Sequence, residues 1–205
     1  MVKSLIVVSG NLAVGKTTFA TQMSKLLDWH IEYESVIDNP YLEDFYKNMK
    51  VWSFHLQIYF LGHRTVQHLA AFTNLKTAIL DRSIYEDANI FAKALNDSGC
   101  ISERDYSSYL TLYNHIIKNL PVPNLMVYIK APIETIMFRI KERGQEFDKN
   151  LSKEYLTMID NYYNDWIPTF DLCPIVTINS DEFNFNEKNS LLEIKEKLLD
   201  KLNNK

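Results

Sequence analysis

Short, almost entirely apolar runs alternate along this chain with longer segments in which apolar residues recur every three or four positions. The first pattern is typical of strands buried on both faces of a sheet, and the second of helices that cover those faces. Because the two patterns alternate, the sequence predicts an α/β fold with a parallel sheet. The strand pattern occupies five segments, which are Val2–Ser9, His30–Glu34, Lys76–Leu80, Leu125–Ile129 and Ile175–Ile178.

Helices are predicted between these strands. The segment Val51–Phe72 is apolar around too much of its circumference for a surface helix, so we expect it to be buried on two sides, with a second subunit as a candidate for one of them. Asn39 could cap a helix that has Pro40 in its first turn, and Ser102 and Asp105 have the spacing of a capping box. The helical pattern covers Lys16–Leu27, Pro40–Met49, Val51–Phe72, Ile84–Leu95, Ser102–Leu120, Pro132–Arg143, Leu151–Trp166 and Glu187–Leu202.

The composition excludes several classes of protein. With 46% hydrophobic and 23% charged residues, the 205 residues fit one globular domain over positions 1–205, without a linker, repeat or low-complexity tract. A formal net charge of −4 argues against nucleic acid and anionic membranes as partners, because both select a basic surface. No segment approaches about 18 uncharged apolar residues, the length typical of a membrane span. We therefore expect a soluble cytoplasmic protein whose partners are small molecules and protein chains.

The cysteines and histidines lack the spacing of a metal site. Cys100 and Cys173 stand far apart, outside any C-x-x-C pair, and are expected to be buried reduced thiols. None of the five histidines belongs to an H-E-x-x-H motif or a comparable ligand set, so a zinc site is not expected.

The clearest chemical signal is the segment Gly10–Thr18, which matches G-x-x-x-x-G-K-[ST] and lies between the first strand and the first helix. Its glycines permit a tight turn whose backbone N–H groups, together with the helix N-terminus, can surround a polyphosphate. Lys16 is predicted to reach the β- and γ-phosphates of ATP, and Thr17 to place its hydroxyl on Mg²⁺. The residues predicted to hold the nucleotide are Gly10, Asn11, Leu12, Ala13, Val14, Gly15, Lys16, Thr17 and Thr18.

Acidic residues end two further predicted strands, at the edge of the sheet where ligands of open α/β folds bind. Glu34 ends the second predicted strand, and Asp81, followed by Arg82, comes directly after the third. Beside a phosphate loop, Asp81 could hold Mg²⁺ or its waters, and Arg82 could contact the transferring phosphate. Taken alone, Asp81 and Arg82 could equally be a surface pair that closes a loop.

Arg139 and Arg143 lie one helical turn apart, just before the polar, glycine-containing segment 143–150. Two guanidinium groups at the base of a loop suit a lid that closes on nucleotide phosphates. The alternative is that they pair with Glu142 or Glu146 on a wet surface.

Gln57 and Arg64 lie two turns apart on the long predicted helix, with Phe60 between them. Polar groups on an apolar helix need partners. Gln57 offers a donor and an acceptor for the edge of an amino-bearing base, and Arg64 could be balanced by Asp87. The alternative is that all three are buried structural polar groups.

Several of these motifs, taken in chain order, resemble the deoxynucleoside kinases, in particular the bacterial deoxyadenosine/deoxycytidine kinase branch. The resemblance extends over nearly the whole chain and rests on the phosphate loop, Tyr33-Glu34 before Asp38–Tyr46, Trp52–Leu61, Asp81–Asp87 with Ile90–Lys93, and Arg139-x-x-x-Arg143-Gly144. It implies a P-loop kinase fold, with a five-stranded parallel sheet in the order 2-3-1-4-5, helices on both faces and a lid loop. It also implies a homodimer that transfers the γ-phosphate of ATP, with Mg²⁺, to a deoxynucleoside 5′-hydroxyl, with deoxyadenosine favoured and deoxycytidine accepted.

The resemblance also implies roles for single residues. It puts Glu34 and Arg82 at the 5′-hydroxyl, and Tyr46 and Asp148 at the 3′-hydroxyl. Glu34 and Asp81 are alternatives for the general base, which must lie within about 3 Å of the hydroxyl it serves. The implied catalytic set is Asp81, Glu34, Arg82, Lys16, Arg139 and Arg143, the nucleoside-binding set is Glu34, Tyr46, Gln57, Arg64, Arg82, Asp87, Phe91 and Asp148, and the metal-proximal pair is Thr17 and Asp81.

The chain departs from the family pattern at three positions. Gln145 stands where many relatives carry a third lid arginine, Asp148 is an aspartate in place of glutamate, and Ser35 replaces a proline. The first two departures concern the grip of the lid on phosphate and sugar, and none touches the core chemistry.

Three other functions compete with this interpretation. A deoxyguanosine-preferring kinase of the same family is the nearest alternative. A nucleoside monophosphate kinase would need further basic residues around the acceptor phosphate, where the helix with Gln57 offers only Arg64. A non-enzymatic P-loop switch protein would show D-x-x-G and N-K-x-D motifs, and the sequence contains neither.

Overall fold

One parallel sheet organises the fold. In the computed structural model, which describes residues 3–33, 39–144 and 151–203, five strands lie in the order β2-β3-β1-β4-β5. The order and the parallel pairing confirm the arrangement that the family resemblance implied. The strands are β1 (Leu5–Ser9), β2 (His30–Glu32), β3 (Ala78–Asp81), β4 (Leu125–Lys130) and β5 (Ile175–Asn179).

Helices connect the strands and cover both faces of the sheet. A π-helical segment, Asp87–Ala92, joins α4 to α5, and a 3₁₀ turn, Ile167–Thr169, follows α8. In chain order the α-helices are α1 (Lys16–Leu27), α2 (Leu42–Lys47), α3 (Met49–Thr73), α4 (Ile84–Glu86), α5 (Lys93–Asp97), α6 (Glu103–Ile117), α7 (Ile133–Arg143), α8 (Lys153–Trp166) and α9 (Lys188–Asn203).

The alternation of side chains along the strands creates two cores, one on each face of the sheet. Leu5 and Val7 of β1 face the core built with α3, α6 and α8, whereas Ile6 and Val8 face the core built with α1, α7 and α9. All four side chains are buried. Because both faces of β1 are covered, its sequence is a continuous apolar run without polar alternation.

Helix α3 is held against the rest of the fold by apolar and polar contacts. Leu61 and Ala71 pack into the core, and the buried His68 donates from Nε2 to the carbonyl oxygen of Pro121 at 2.7 Å. Burial lowers the pKa of His68 below its ordinary value. Val66 and Phe72 of the same helix are exposed. The sequence predicted burial on two sides of this helix, and the part of the chain that the structure describes does not cover the side with Val66 and Phe72.

Some element boundaries differ from the predicted ones. β2 ends at Glu32 instead of Glu34. α2 begins at Leu42, later than predicted, because Oδ1 of Asn39 accepts the backbone N–H of Tyr41 at 2.9 Å and holds a turn there. The predicted regular helix after β3 contains the π-helical segment.

Further findings on the described residues concern membrane spans, metal ligands and cysteines. Among them, no helix is long and apolar enough to cross a membrane, and no three His, Cys, Asp or Glu side chains gather as a metal-binding group. Cys100 and Cys173 are free thiols. Both are half-buried, where the sequence predicted burial, because each lies in a connecting loop and loops run over the surface.

Candidate active site

A cleft of about 1270 Å³ opens beyond the carboxyl ends of β1 and β3, which are neighbours in the sheet. Val8 of β1 pairs with Asp81 of β3, so the phosphate loop that follows β1 and the acidic end of β3 come together. Most predicted site residues that the structure describes line this cleft, namely Leu12, Ala13, Gly15, Lys16, Thr17, Thr18, Tyr46, Gln57, Arg64, Asp81, Arg82, Asp87, Phe91, Arg139 and Arg143.

The phosphate loop makes the tight turn that its glycines permit. Gly10 has a φ of 147° and Gly15 a φ of 102°, values that residues with a side chain rarely adopt. A Cβ on Gly10 would lie 2.2 Å from the carbonyl oxygen of Ile129, so the loop is also pressed against β4. Lys16 is buried beside the loop and donates from Nζ to the carbonyl oxygens of Gly10 (2.9 Å) and Asn11 (2.7 Å).

Three residues of the predicted nucleotide-binding set, Gly10, Asn11 and Val14, lie behind the lining of the cleft. The side chain of Asn11 donates from Nδ2 to the carbonyl oxygen of Leu156 on α8 at 3.0 Å. Its Oδ1 accepts the backbone N–H of Leu12 at 2.8 Å. The Asn11 side chain therefore fixes the loop to α8.

Thr17 and Asp81 meet at the wall of the cleft. The Thr17 hydroxyl donates to Oδ2 of Asp81 at 2.5 Å, and Asp81 is buried. A hydroxyl and a carboxylate are hard oxygen donors, and Mg²⁺ that binds nucleotide phosphates is usually held by only one or two protein groups. The pair therefore fits Mg²⁺ beside the phosphate loop.

Arg82 follows β3 in a strained backbone conformation. Its φ is 80°, which is rare for a residue with a side chain and persists only where the surrounding contacts fix it. The guanidinium lies over the ring of Phe91, 4.8 Å from the ring centroid. Its Nη1 donates to the hydroxyl of Tyr163 (3.3 Å) and to Oε1 of Glu86 (3.4 Å).

Glu86 and Tyr163 are buried residues of this site that sequence reasoning missed. Oε1 of Glu86 accepts the backbone N–H of Gly10 (3.1 Å) and the hydroxyl of Tyr163 (2.5 Å). Its Oε2 accepts the backbone N–H (2.8 Å) and the hydroxyl (3.1 Å) of Ser83, which completes a capping box at the start of α4. The spacing Ser83-x-x-Glu86 is a signal that could have found Glu86. No local signal marks the polar role of Tyr163, because its hydrogen-bond partners lie 77 residues or more away along the chain.

The polar residues of α3 line another part of the cleft. Gln57 and Arg64 are each 3% exposed, and Nε of Arg64 donates to Oδ2 of Asp87 at 2.7 Å, which is the predicted ion pair. Oε1 of Gln57 has no hydrogen-bond partner within the part of the chain that the structure describes. A buried amide oxygen that accepts no hydrogen bond costs free energy. A ligand with an N–H or O–H group could donate to this oxygen. Tyr46 and Phe91 lie in the same wall.

The two arginines of α7 lie in different surroundings. Arg139 donates from Nη1 to the carbonyl oxygen of Val14 (3.0 Å) and to Oγ of Ser180 (2.7 Å), and from Nη2 to the carbonyl oxygen of Ser180 (2.9 Å). It therefore joins the phosphate loop to the residue that follows β5, and is not in the surface pair with Glu142 that was the alternative. Arg143 is exposed and lines the cleft.

The segment after β5 forms a part of the cleft wall that the sequence did not predict. Phe185 approaches the phosphate loop so closely that a Cβ on Gly15 would lie 3.2 Å from its ring. Polar and aromatic residues that follow the last strand, at the same edge of the sheet, are the signal that could have indicated this wall. Its lining residues are Ser180, Asp181, Phe183, Asn184, Phe185 and Asn186.

Five positions with sequence-based expectations lie outside the described residues, as does most of the predicted lid segment 143–150. They are Glu34 and Ser35 after β2, and Gln145, Glu146 and Asp148 after α7. Their roles stay predictions.

Known proteins similar to this chain are kinases of deoxynucleosides. A family model described as deoxynucleoside kinase matches residues 6–204. A Bacillus subtilis (strain 168) protein named deoxyadenosine/deoxycytidine kinase is 37% identical over 194 residues, which are 93% of this chain and 89% of that protein. A deoxyguanosine kinase from the same organism is 34% identical over 158 residues, which are 77% of this chain and 75% of that protein.

A solved structure shares the fold over almost the whole chain. It is deoxyadenosine kinase from M. mycoides with the products dCMP and a flexible dCDP bound. It matches with a TM-score of 0.84 and 29% sequence identity, and the match covers 96% of this chain and 99% of that one.

Proposed function

This chain belongs to the deoxynucleoside kinase family, and we propose that it phosphorylates the 5′-hydroxyl of deoxyadenosine in preference to deoxycytidine, with ATP and Mg²⁺. The protein is a kinase, and therefore a phosphotransferase. One observation carries the proposal for the site. The same cleft contains the phosphate loop, the Thr17–Asp81 pair and the buried polar residues of α3, so a nucleotide and a nucleoside can meet in it.

At the phosphate end of the cleft, we propose that the backbone N–H groups of the phosphate loop and the ammonium of Lys16 bind the β- and γ-phosphates of ATP. Thr17 and Asp81 would hold Mg²⁺. When bound, the ion would neutralise negative charge on the phosphates. Arg139 and Arg143 of α7 would add positive charge at the same end.

For the transfer step, we assign Asp81 to the metal-proximal position, because the Thr17 hydroxyl already donates to it. Glu34 is then the general base. Its place in the sequence, two residues after the end of β2, supports this assignment, because β2 pairs with β3, the strand that ends at Asp81. The 5′-oxygen attacks the γ-phosphorus as its proton passes to Glu34, the bond from the γ-phosphorus to the β–γ bridging oxygen breaks, and ADP leaves. Arg82 stabilises charge that develops on the phosphoryl group.

The preference for an amino-bearing base follows from the acceptors in the wall of the cleft. Gln57 presents a buried amide oxygen, and Asp87 presents a carboxylate that only accepts hydrogen bonds. Adenine and cytosine carry an exocyclic amino group where guanine and thymine carry a carbonyl oxygen. We therefore expect deoxyadenosine and deoxycytidine to bind, with deoxyguanosine as the second candidate because Arg64 supplies donors beside Asp87.

A substrate panel tests this proposal. The wild-type protein is incubated with labelled ATP and, in turn, with the four deoxynucleosides and with dAMP, and kcat/KM is measured for each. We expect the highest kcat/KM for deoxyadenosine, a lower value for deoxycytidine and no transfer to dAMP. A highest value for deoxyguanosine would support the second candidate, and transfer to dAMP alone would make the protein a nucleoside monophosphate kinase.

We also propose that the protein is a homodimer. The exposed apolar side chains of α3, together with Leu112 of the neighbouring α6, support this proposal, because exposed apolar residues on adjacent helices suit a subunit interface. On α3 these side chains are Val66, Leu69 and Phe72.

A further inference from the structure

Glu86 and Tyr163 connect the phosphate loop to Arg82 through buried hydrogen bonds. Oε1 of Glu86 accepts the backbone N–H of Gly10 (3.1 Å) and Nη1 of Arg82 (3.4 Å). The hydroxyl of Tyr163 lies 2.9 Å from the carbonyl oxygen of Gly10 and accepts from Nη1 of Arg82 at 3.3 Å. Both residues therefore contact the same glycine and the same guanidinium.

Arg82 depends on such contacts more than an ordinary surface arginine does. Its φ of 80° is a strained conformation, and its guanidinium is buried. Glu86 is fully buried and bonds Ser83 with its other oxygen, so it cannot move without breaking the capping box of α4. A carboxylate fixed in this way sets the position of the guanidinium relative to the phosphate loop.

Nucleotide binding is expected to change the hydrogen bonds that the Gly10 carbonyl oxygen accepts. This oxygen accepts from Lys16 Nζ at 2.9 Å, and Lys16 would turn towards the phosphates of ATP. The nearby hydroxyl of Tyr163 has one proton and two acceptors, Gly10 and Glu86. Burial, and then the charge of Glu86, raise the pKa of Tyr163 well above its ordinary value, so the proton stays on the hydroxyl.

We propose that Glu86 and Tyr163 are positioning residues that couple the phosphate loop to Arg82. Glu86 holds the Gly10 N–H and the Arg82 guanidinium in one geometry. Tyr163 supplies a donor to the Gly10 carbonyl when ATP draws Lys16 away. This proposal rests on the kinase function proposed above and assigns no contact with substrate to either residue.

Tyr163→Phe tests the second part, with Tyr109→Phe as the matched control. Both tyrosines are fully buried in the same core, but the Tyr109 hydroxyl has no hydrogen-bond partner among the described residues. We expect Tyr163→Phe to raise the KM for ATP about fivefold or more, the scale of one buried carbonyl left without a donor, and to change the KM for the deoxynucleoside less than about twofold. Tyr109→Phe should change neither. Equal changes in both KM values for Tyr163→Phe, or no change in either, would overturn this part.

Glu86→Gln tests the first part, because glutamine keeps the shape of the side chain but replaces one acceptor oxygen by a donor. We expect kcat to fall about tenfold, the scale of lost hydrogen bonds to a charged group. In an Arg82→Lys background the same change should lower kcat less than about twofold, because the guanidinium through which Glu86 acts is already gone. A tenfold loss in both backgrounds would mean that Glu86 acts independently of Arg82 and would overturn the coupling.

Two further measurements keep the tests decisive. Thermal unfolding of each variant shows whether it is folded, and if Glu86→Gln does not fold, the ATP selectivity of Tyr163→Phe decides the proposal. The wild-type protein is assayed alongside. Absence of phosphoryl transfer by the wild type would count against the proposed function, whereas an active wild type with an unchanged Tyr163→Phe variant would count only against the positioning role.

Discussion

Gly10 of the phosphate loop has a conformation and surroundings that leave no room for a side chain. Its φ of 147° disfavours any side chain, and an added Cβ would lie 2.2 Å from the carbonyl oxygen of Ile129. We expect Gly10→Ala to lower the free energy of unfolding by about 2 kcal/mol or more, through backbone strain and the clash with β4. Denaturant or thermal unfolding measures the change.

Gly62→Ala is the matched control for this prediction. Gly62 lies within α3, and a Cβ there would meet no atom within 4 Å. Alanine should therefore stabilise the protein by about 0.5–1 kcal/mol, because it restricts the unfolded chain and favours the helix. Equal stability of the two variants would show that the conformation of Gly10 is not the constraint inferred here.

Asp81 and Glu34 are expected to contribute to phosphoryl transfer in different ways. We expect Asp81→Asn and Glu34→Gln each to lower kcat by roughly 10² or more, because one removes a charge beside the metal position and the other the base. Steady-state kinetics measures the effect. Glu134→Gln is a suitable control, because Glu134 is exposed and pairs only with Lys153 among the described residues, so kcat should not change. Turnover that is unchanged in either test variant would remove that residue from the mechanism.

Residues whose partners are close in sequence were the predictable part of the site. The phosphate loop follows from a nine-residue pattern, whereas the ion pair of Arg64 with Asp87, 23 residues apart, was expected only because a charge on an apolar helix needs a partner. Arg139 was placed in a lid or on the surface, yet it bonds Val14 and Ser180, which are distant in sequence. Such contacts depend on which strands become neighbours, and residue spacing alone does not contain that information.

At the scale of elements, the π-helical segment Asp87–Ala92 is the main departure from the sequence prediction. Apolar periodicity predicts a helix there. It does not distinguish an α-helical from a π-helical turn, because the two differ by only one residue per turn and the apolar pattern of a short segment does not resolve that difference. Asp87 and Phe91 both lie in this segment and both line the cleft. The local winding therefore bears directly on the nucleoside-binding wall, as π-helical turns often do at functional sites.

The free energy of unfolding is expected to depend on pH through His68 of helix α3. Burial lowers the pKa of His68 in the folded protein below the ordinary value of 6.5, so the unfolded chain binds a proton at a higher pH than the folded one. Stability from this residue is therefore complete above pH 6.5 and is lost as the pH falls below it. We expect the free energy of unfolding to decrease between pH 7.5 and pH 5.5, by at most about 1.4 kcal/mol per pH unit for one proton.

His68→Gln isolates this contribution. Glutamine can still donate to the Pro121 carbonyl but cannot take up a proton, so the stability advantage of the wild type over the variant should narrow as the pH falls. Chemical denaturation at several pH values measures the difference. A difference that stays constant from pH 7.5 to pH 5.5 would contradict the assigned role of His68.

For the whole molecule, the order of the strands was predictable from the family resemblance but not from the strand patterns. Alternating strands and helices indicate a parallel sheet, and many strand orders satisfy that pattern. Only the ordered motifs pointed to 2-3-1-4-5, which the structure shows. That order makes β1 and β3 neighbours and so brings Thr17 to Asp81. The extent of a single domain over residues 1–205 stays a prediction.

The proposed homodimer would be held by the exposed apolar face of α3. We expect the wild-type protein to have the mass of a dimer, and Val66→Glu to shift it towards the monomer because a charge would be buried at the interface. Light scattering after size-exclusion chromatography measures both masses. Phe138→Glu is the control, because Phe138 is similarly exposed but lies on α7, across the sheet from α3. A wild-type monomer, or an unchanged mass for Val66→Glu, would contradict this interface.

We propose that the cleft brings the γ-phosphate of ATP to the 5′-hydroxyl of a deoxynucleoside. The most direct measurement incubates the wild-type protein and γ-labelled ATP with deoxyadenosine or with 2′,5′-dideoxyadenosine, which lacks only the 5′-hydroxyl, and identifies the labelled product. We expect label in 5′-dAMP from deoxyadenosine and no labelled nucleoside from the dideoxy compound. Label in both products, or in neither, would contradict it.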